Sequence, residues 1–367
     1  MDNRNLKIVF FGSSIVSAYW NGAATYYRGI VKALYHMKHD ITFYEPDIYD
    51  RQKHRDLINP EYCTVKVYQS EEQEILQLLE EASTADVIIK TSGIGKNDAF
   101  LEQEILKLKK KNNLIVFWDV DAPATLDRIH ANPDDPFNQL IPHYDYIFTY
   151  GGGAPVIEAY ETKGAKRCIP IYNALDTETH FPVASNYRFQ ADLSFLGNRL
   201  PDRESRVEEF FLTPASLLSE KSFLLGGNGW QDKPMPANVN YIGHVYTEDH
   251  NVFNCSSLVV LNISRSSMAK YGFSPATRVF EAAGAAACII TDYWEGIELF
   301  FEPGTEILVA HNGHDVANII QSLTEEKAVQ VGQAAYKKVI KSHTYNNRAQ
   351  ILQSIFNQSL LSTEAVV

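Results

Sequence analysis

The 367-residue chain has only four cysteines, Cys63, Cys168, Cys255 and Cys288, widely spaced and never in a C-x-x-C pair. That scarcity excludes a disulfide framework and a thiolate zinc site, and the thiols read as buried groups in a reducing, cytoplasmic setting. Positive charge is also short. With 33 Lys and Arg against 45 Asp and Glu, the formal net charge is −12. A surface of that sign gains nothing from a phosphate backbone, so no nucleic-acid partner is expected. No apolar run approaches the ~20 residues of a spanning helix, and the N-terminus enters a strand pattern directly, without the apolar core of a signal peptide. Nucleotide-binding loops of the familiar kinds are missing too. Gly93-Ile94-Gly95-Lys96-Asn97 lacks the earlier glycine and the Ser/Thr of a phosphate loop, and Gly12 does not open a G-x-G-x-x-G fingerprint. One basic run, Leu106–Lys111 with its four lysines, reads as a solvated helix end, the alternative being a weak membrane-surface contact.

What is present is ordinary globular composition, 45% hydrophobic and 21% charged, in a chain too long for one compact core. Short apolar runs alternate with segments of helical period, which predicts α/β layering around parallel sheets. Leu6–Phe11, Ile41–Tyr44, Val87–Lys90, Leu114–Trp118, Tyr146–Thr149 and Cys168–Tyr172 are the strands expected of a first domain, residues 1–178. Leu193–Leu196, Phe223–Gly226, Leu258–Asn262, Cys288–Thr291 and Ile307–Val309 are those of a second, residues 179–344. Asn173–Pro182 reads as the linker, and a C-terminal helix over 345–367 as a segment crossing back to the first domain. Two doubly wound sheets in series imply a central cleft faced by their carboxyl edges, where ligands of open α/β sheets bind.

The most informative segment is Phe273–Gly284. Ser274-Pro275 reads as a helix start. Ser274, Arg278 and Glu281, at i, i+4 and i+7, then form one polar stripe on an otherwise apolar helix. A helix start with Thr277 and Arg278 suits a diphosphate, and Glu281 suits a ribose or sugar hydroxyl; an internal Arg–Glu pair is the bland alternative. Gly197-Asn198-Arg199 and Arg203 follow a strand and bring positive charge toward the same anion. Gly243-His244 belongs to a loop suited to a nucleobase. In the first domain, Asp119-Val120-Asp121 ends a buried strand, with metal binding, base or acceptor contact, and helix capping all open. Gly12, Ser13 and Gly22 lie on loops of the first domain, and His311 and His314 read as loop surface.

The chain resembles the two-domain GT-B glycosyltransferases, and within them the CgeB-like branch related to family 4. The resemblance rests on residues 20–28, on residues 119–126, on the linker Tyr172-Asn173-Ala174-Leu175-Asp176, on Arg278–Ala282 with Phe300–Leu308, and on residues 343–348. It implies a second domain that binds a UDP-, GDP- or dTDP-linked sugar without metal or cofactor, with Glu281 accepting from the ribose. The acceptor would be a glycan, a lipid-linked sugar or a small molecule. The family pattern is a pair of glutamates separated by seven residues; the later is Glu281, and at the earlier position this chain has Phe273. That departure leaves retaining and inverting outcomes both open, the inverting one with Asp121 or Asp119 as base. Rival expectations are a nucleotide-sugar epimerase on the same scaffold and a non-catalytic sugar-binding or spore-surface protein.

Overall fold

The computed structural model describes residues 4–19 and 21–364. Trp20, which opens one segment of the resemblance, and residues 365–367 of the expected terminal helix lie outside them. The chain divides into two compact units, Met1–Tyr172 with Tyr345–Val367, and Asn173–Thr344.

The first unit is built on seven parallel strands: β1 (Lys7–Phe11), β2 (Asp40–Pro46), β3 (Thr64–Tyr68), β4 (Val87–Thr91), β5 (Leu114–Asp119), β6 (Tyr146–Thr149) and β7 (Cys168–Pro170), in the order β3-β2-β1-β4-β5-β6-β7. Strands β4 and β5 are buried at every position, as unbroken apolar runs covered by helices on both faces must be. The order reverses between β1 and β4. Gly12 and Ser13 follow β1 at that reversal, where an open α/β sheet forms its crevice. The terminal helix Tyr345–Glu364 packs on the helix Ala24–His36. Gly29 permits this, since a Cβ there would stand 2.2 Å from the Tyr345 ring. Arg348 Nε donates to the Tyr172 carbonyl at 3.1 Å, tying the helix to the end of the unit.

The second unit carries six parallel strands: β8 (Leu193–Leu196), β9 (Phe223–Gly226), β10 (Val239–Gly243), β11 (Val259–Asn262), β12 (Ile289–Asp292) and β13 (Leu308–Ala310), in the order β10-β9-β8-β11-β12-β13. Its core gathers Phe195, Phe211, Phe223, Trp230, Leu261 and Ile290 on one face of the sheet. Here the order reverses between β8 and β11, so the loops after these two strands, residues 197–203 and 263–265, flank the crevice. The expected linker Asn173–Pro182 belongs to this unit, with Leu175 bridging to Thr344.

Three lysines of the basic run are engaged locally, Lys107 with Glu104, Lys109 with Asp145 and Lys110 with the Ser83 carbonyl. Among the described residues no helix is long and apolar enough to cross a membrane. All four cysteines are free.

Candidate functional site

In the second unit the loops after β8 and β9 are clamped together. Gly227, at φ 120°, lies so close that a Cβ would stand 2.2 Å from the Gly197 carbonyl oxygen, which a side chain could not tolerate. Trp230 Nε1 donates to that same oxygen at 2.7 Å, and Asn228 N donates to Asn198 Oδ1 at 2.9 Å. Arg199 is consumed by this scaffold. It pairs with Glu204 at 2.6 Å and Asp232 at 2.9 Å, and these carboxylates raise its pKa further.

Arg203 behaves differently. Its Nε is buried without a partner, and its Nη1 lies over Gly197, 3.1 Å from where a Cβ would be. Burial pulls its pKa down, and Arg265 adds to that effect. Arg278 is the matching group on the helix Thr277–Gly284. Burial is the main cause that brings its pKa to about 10, with Glu281 opposing and Arg203 contributing. Neither guanidinium makes a hydrogen bond or ion pair among the described residues. The neighbouring acids are already satisfied: Asp202 holds Arg265 at 2.6 Å, and Asp292 holds Arg206 and the Ser264 amide. Two desolvated like charges sensing each other are costly unless an anion joins them.

The helix itself corrects one expectation. It begins at Thr277 with Ala276 as N-cap and no side-chain cap bond, so Ser274 does not cap it and Pro275 is not its first residue. Ser274 is buried upstream. Phe273 sits at φ 47° with its ring against Gly296, a left-handed conformation that breaks the chain before the helix can start. The polar stripe is therefore Arg278 and Glu281 alone, with Thr277 in the first turn.

Glu281, one-fifth exposed, makes no hydrogen bond among the described residues; His180 Nε2 stands 4.0 Å from its Oε1. The rings of His180 and His250 are 6.3 Å apart. Burial holds the His250 pKa below its ordinary value, Glu281 opposing this and Arg278 and His180 reinforcing it. Sequence reasoning missed both histidines: they come from a linker and from the helix His250–Ser256, and no spacing relates them to Glu281. At the edge of the sheet, Gly243 has φ 72° and open space where a side chain would be. The exposed His244 contacts Asn228 at 3.3 Å and meets Tyr246 edge-on.

In the first unit Asp119 is fully buried, and its carboxylate accepts from Ser92 Oγ at 2.7 Å, Thr125 Oγ1 at 3.0 Å, the Asp121 amide at 3.0 Å and the Tyr160 hydroxyl. Those four donors give it a structural task. Asp121 is exposed at the N-cap of the helix Ala122–Ala131 without a side-chain cap bond. Ser13 Oγ bonds Asn21 at 3.0 Å in a buried cluster, Gly12 presses on Phe43, and Gly22 opens to free space. Among the described residues no group of three or more His, Cys, Asp or Glu is placed to hold a metal ion.

Residues 203–354 match a family described as glycosyl transferase-like. No curated protein matches the chain. Among solved structures, HepE of Anabaena in complex with UDP and glucose superposes with a TM-score of 0.67 at 12% identity, covering 96% of this chain and 100% of that one. Sucrose-phosphate synthase of Thermosynechococcus elongatus gives 0.68 at 13% identity, covering 97% and 100%. An alpha-glucosyltransferase bound to UDP-glucose and DNA containing an abasic site gives 0.69 at 12%, covering 96% and 100%. The two doubly wound units that the alternation of strands and helices predicted have the GT-B fold of these structures, as the resemblance implied.

Proposed function

We propose that the protein transfers a sugar, of the hexose type, from a nucleoside diphosphate sugar to an acceptor hydroxyl, as a member of the CgeB-like branch related to family 4. The observation that carries this reading is the Arg203 and Arg278 pair, two desolvated guanidiniums without counter-ions at the carboxyl edge of a doubly wound sheet. A diphosphate is the anion that relieves both. Charge grows on the leaving diphosphate in the transition state, and two preorganised guanidiniums stabilise it there more than in the ground state. They fill the role that a divalent cation has elsewhere, so no metal or cofactor enters the scheme. Glu281, a carboxylate with vacant lone pairs, accepts the ribose hydroxyls. The Gly243–His244 edge receives the base, and Gly197 and Asn198 let the backbone approach the phosphates.

On the acceptor side, Gly12, Ser13 and Gly22 line the loops that receive the hydroxyl. Asp121 rather than Asp119 is the candidate base, because Asp121 is exposed while Asp119 is saturated. The acceptor is a glycan, a lipid-linked sugar or a small molecule; the net charge of −12 supports none of the contacts a nucleic acid would need. A cytoplasmic setting follows from the same chemistry, since four free thiols suit a reducing compartment. The test is incubation with labelled UDP-, GDP- and dTDP-sugars, with and without acceptor pools. Acceptor-dependent release of one nucleoside diphosphate, lost in Glu281→Ala, supports the transfer. Turnover of the sugar with no acceptor present would replace it with epimerisation.

A further inference from the structure

The linker histidine stands where nothing in the proposed chemistry yet uses it. His180 is buried, its Nδ1 lies 2.9 Å from Thr179 Oγ1, and its Nε2 faces Glu281. The Thr179 hydroxyl also reaches the Asp176 carbonyl at 3.2 Å. A hydroxyl has one proton. If it goes to Asp176, the ring must donate from Nδ1, and only the imidazolium then has a second proton to turn toward Glu281. The doubly protonated ring alone satisfies Thr179 and Glu281 at once while leaving the Thr179–Asp176 bond in place.

We propose that His180 is a positioning residue: its imidazolium orients the Glu281 carboxylate, so that reading of the ribose hydroxyls strengthens as His180 gains its proton. This rests on the donor-site reading above. The other charged or titratable groups facing Glu281 are Arg278 one turn earlier on the same helix, with Arg203 beyond it, and His250 on the helix His250–Ser256. From that helix Cys255 points away, its thiol donating to the Ala285 carbonyl at 3.3 Å. The arginines stay charged at every relevant pH. His250 is held below its ordinary value by burial, with Glu281 opposing and Arg278 and His180 reinforcing it. His180 is the imidazole whose Nε2 stands 4.0 Å from the Glu281 carboxylate.

The experiment compares the Kd of UDP with that of 2′,3′-dideoxy-UDP, and of GDP with 2′,3′-dideoxy-GDP, between pH 6 and 8.5. In the wild type the preference for the ribose form is expected to reach about tenfold at pH 6, the scale of one charge-assisted hydrogen bond, and to fall severalfold by pH 8.5. In H180Q the preference should persist weakly and lose its pH dependence, whereas H250Q should keep it. A second readout needs no change at position 180: the imidazole proton resonance of His180 should titrate at lower pH in E281Q than in the wild type. A flat wild-type profile, an unaltered slope in H180Q, or an unmoved resonance in E281Q would each overturn the proposal. If neither diphosphate binds the wild type, the donor-site reading itself falls; if both bind and E281Q keeps the ribose preference, the Glu281 assignment falls.

Discussion

Arg278→Met should make the ligand-free protein more stable while removing its response to nucleotide. Burial brings the Arg278 pKa to about 10, so below that pH the folded protein holds a cation it binds less well than the unfolded chain does. The sign follows: a depressed base destabilises the fold at every pH below its folded value, and the deficit fades only as pH rises above 10. At ~1.4 kcal/mol for each tenfold change in proton affinity, the full deficit is about 3 kcal/mol. The side chain is partly exposed, so solvent screening leaves a gain of about 1 to 2 kcal/mol. For a unit of this size that is a rise in Tm of roughly 2 to 8 °C. Nucleotide acts oppositely. At a hundredfold excess over Kd, a bound diphosphate adds about 2.7 kcal/mol to the wild type and little to the variant. Thermal scans of both proteins, with and without UDP and GDP, separate the two effects. A variant less stable than the wild type, yet still raised in Tm by nucleotide, would refute the idea that Arg278 is kept unpaired for an anion.

Asp292→Ala should cost about 3 to 5 kcal/mol in denaturant unfolding, because it leaves the Arg206 guanidinium and the Ser264 amide unpaired where Asp292 now holds both; a loss under 1 kcal/mol would count against that network. Gly29→Ala should loosen the terminal helix, since its Cβ would fall 2.2 Å from the Tyr345 ring, at a cost of about 1 to 3 kcal/mol. Faster proteolytic cleavage before residue 345 is the readout, and unchanged cleavage contradicts it. His39 is buried with its Nδ1 accepting from Leu6 N at 3.1 Å, and burial lowers its pKa, with nearby Gln353 and Asp86 opposing. Its neutral form is the folded one, so its contribution is complete above the ordinary histidine value and lost as pH falls toward the lowered one. His39→Asn, which keeps an acceptor, should flatten the stability profile between pH 7 and 5; an equally steep profile would assign the acid sensitivity elsewhere.

Fully buried parallel strands were the most legible part of the fold. β1, β4, β5, β8, β9, β11 and β12 read as apolar runs because helices cover both faces. The edge strands β3 and β10 carry half-exposed sequences, TVKVY and VNYIG, and leave no such signal. The Ser274-Pro275 start was a local rule overridden by context, because Phe273 in the left-handed region and the extended Ala276 set the helix start at Thr277. Arg278 and Glu281 stood out as charges on an apolar helix. What sequence could not provide was the difference between Arg199 and Arg203, four residues apart in one loop. Glu204 and Asp232 neutralise the first, and the second is left without a counter-ion. Nor does the D-x-D spacing distinguish Asp119, enclosed by four donors, from Asp121 at the surface. That distinction depends on Ser92, Thr125 and Tyr160, which arrive from other elements.

The most direct test of the donor site is calorimetric titration of UDP, GDP, dTDP and CMP into the wild type and into R203M, R278M and E281Q. The account requires selective binding of one nucleoside diphosphate by the wild type, a loss of at least tenfold in each arginine variant, and a ribose-dependent loss in E281Q. Equal affinities in all four proteins, or no binding by the wild type, would contradict it.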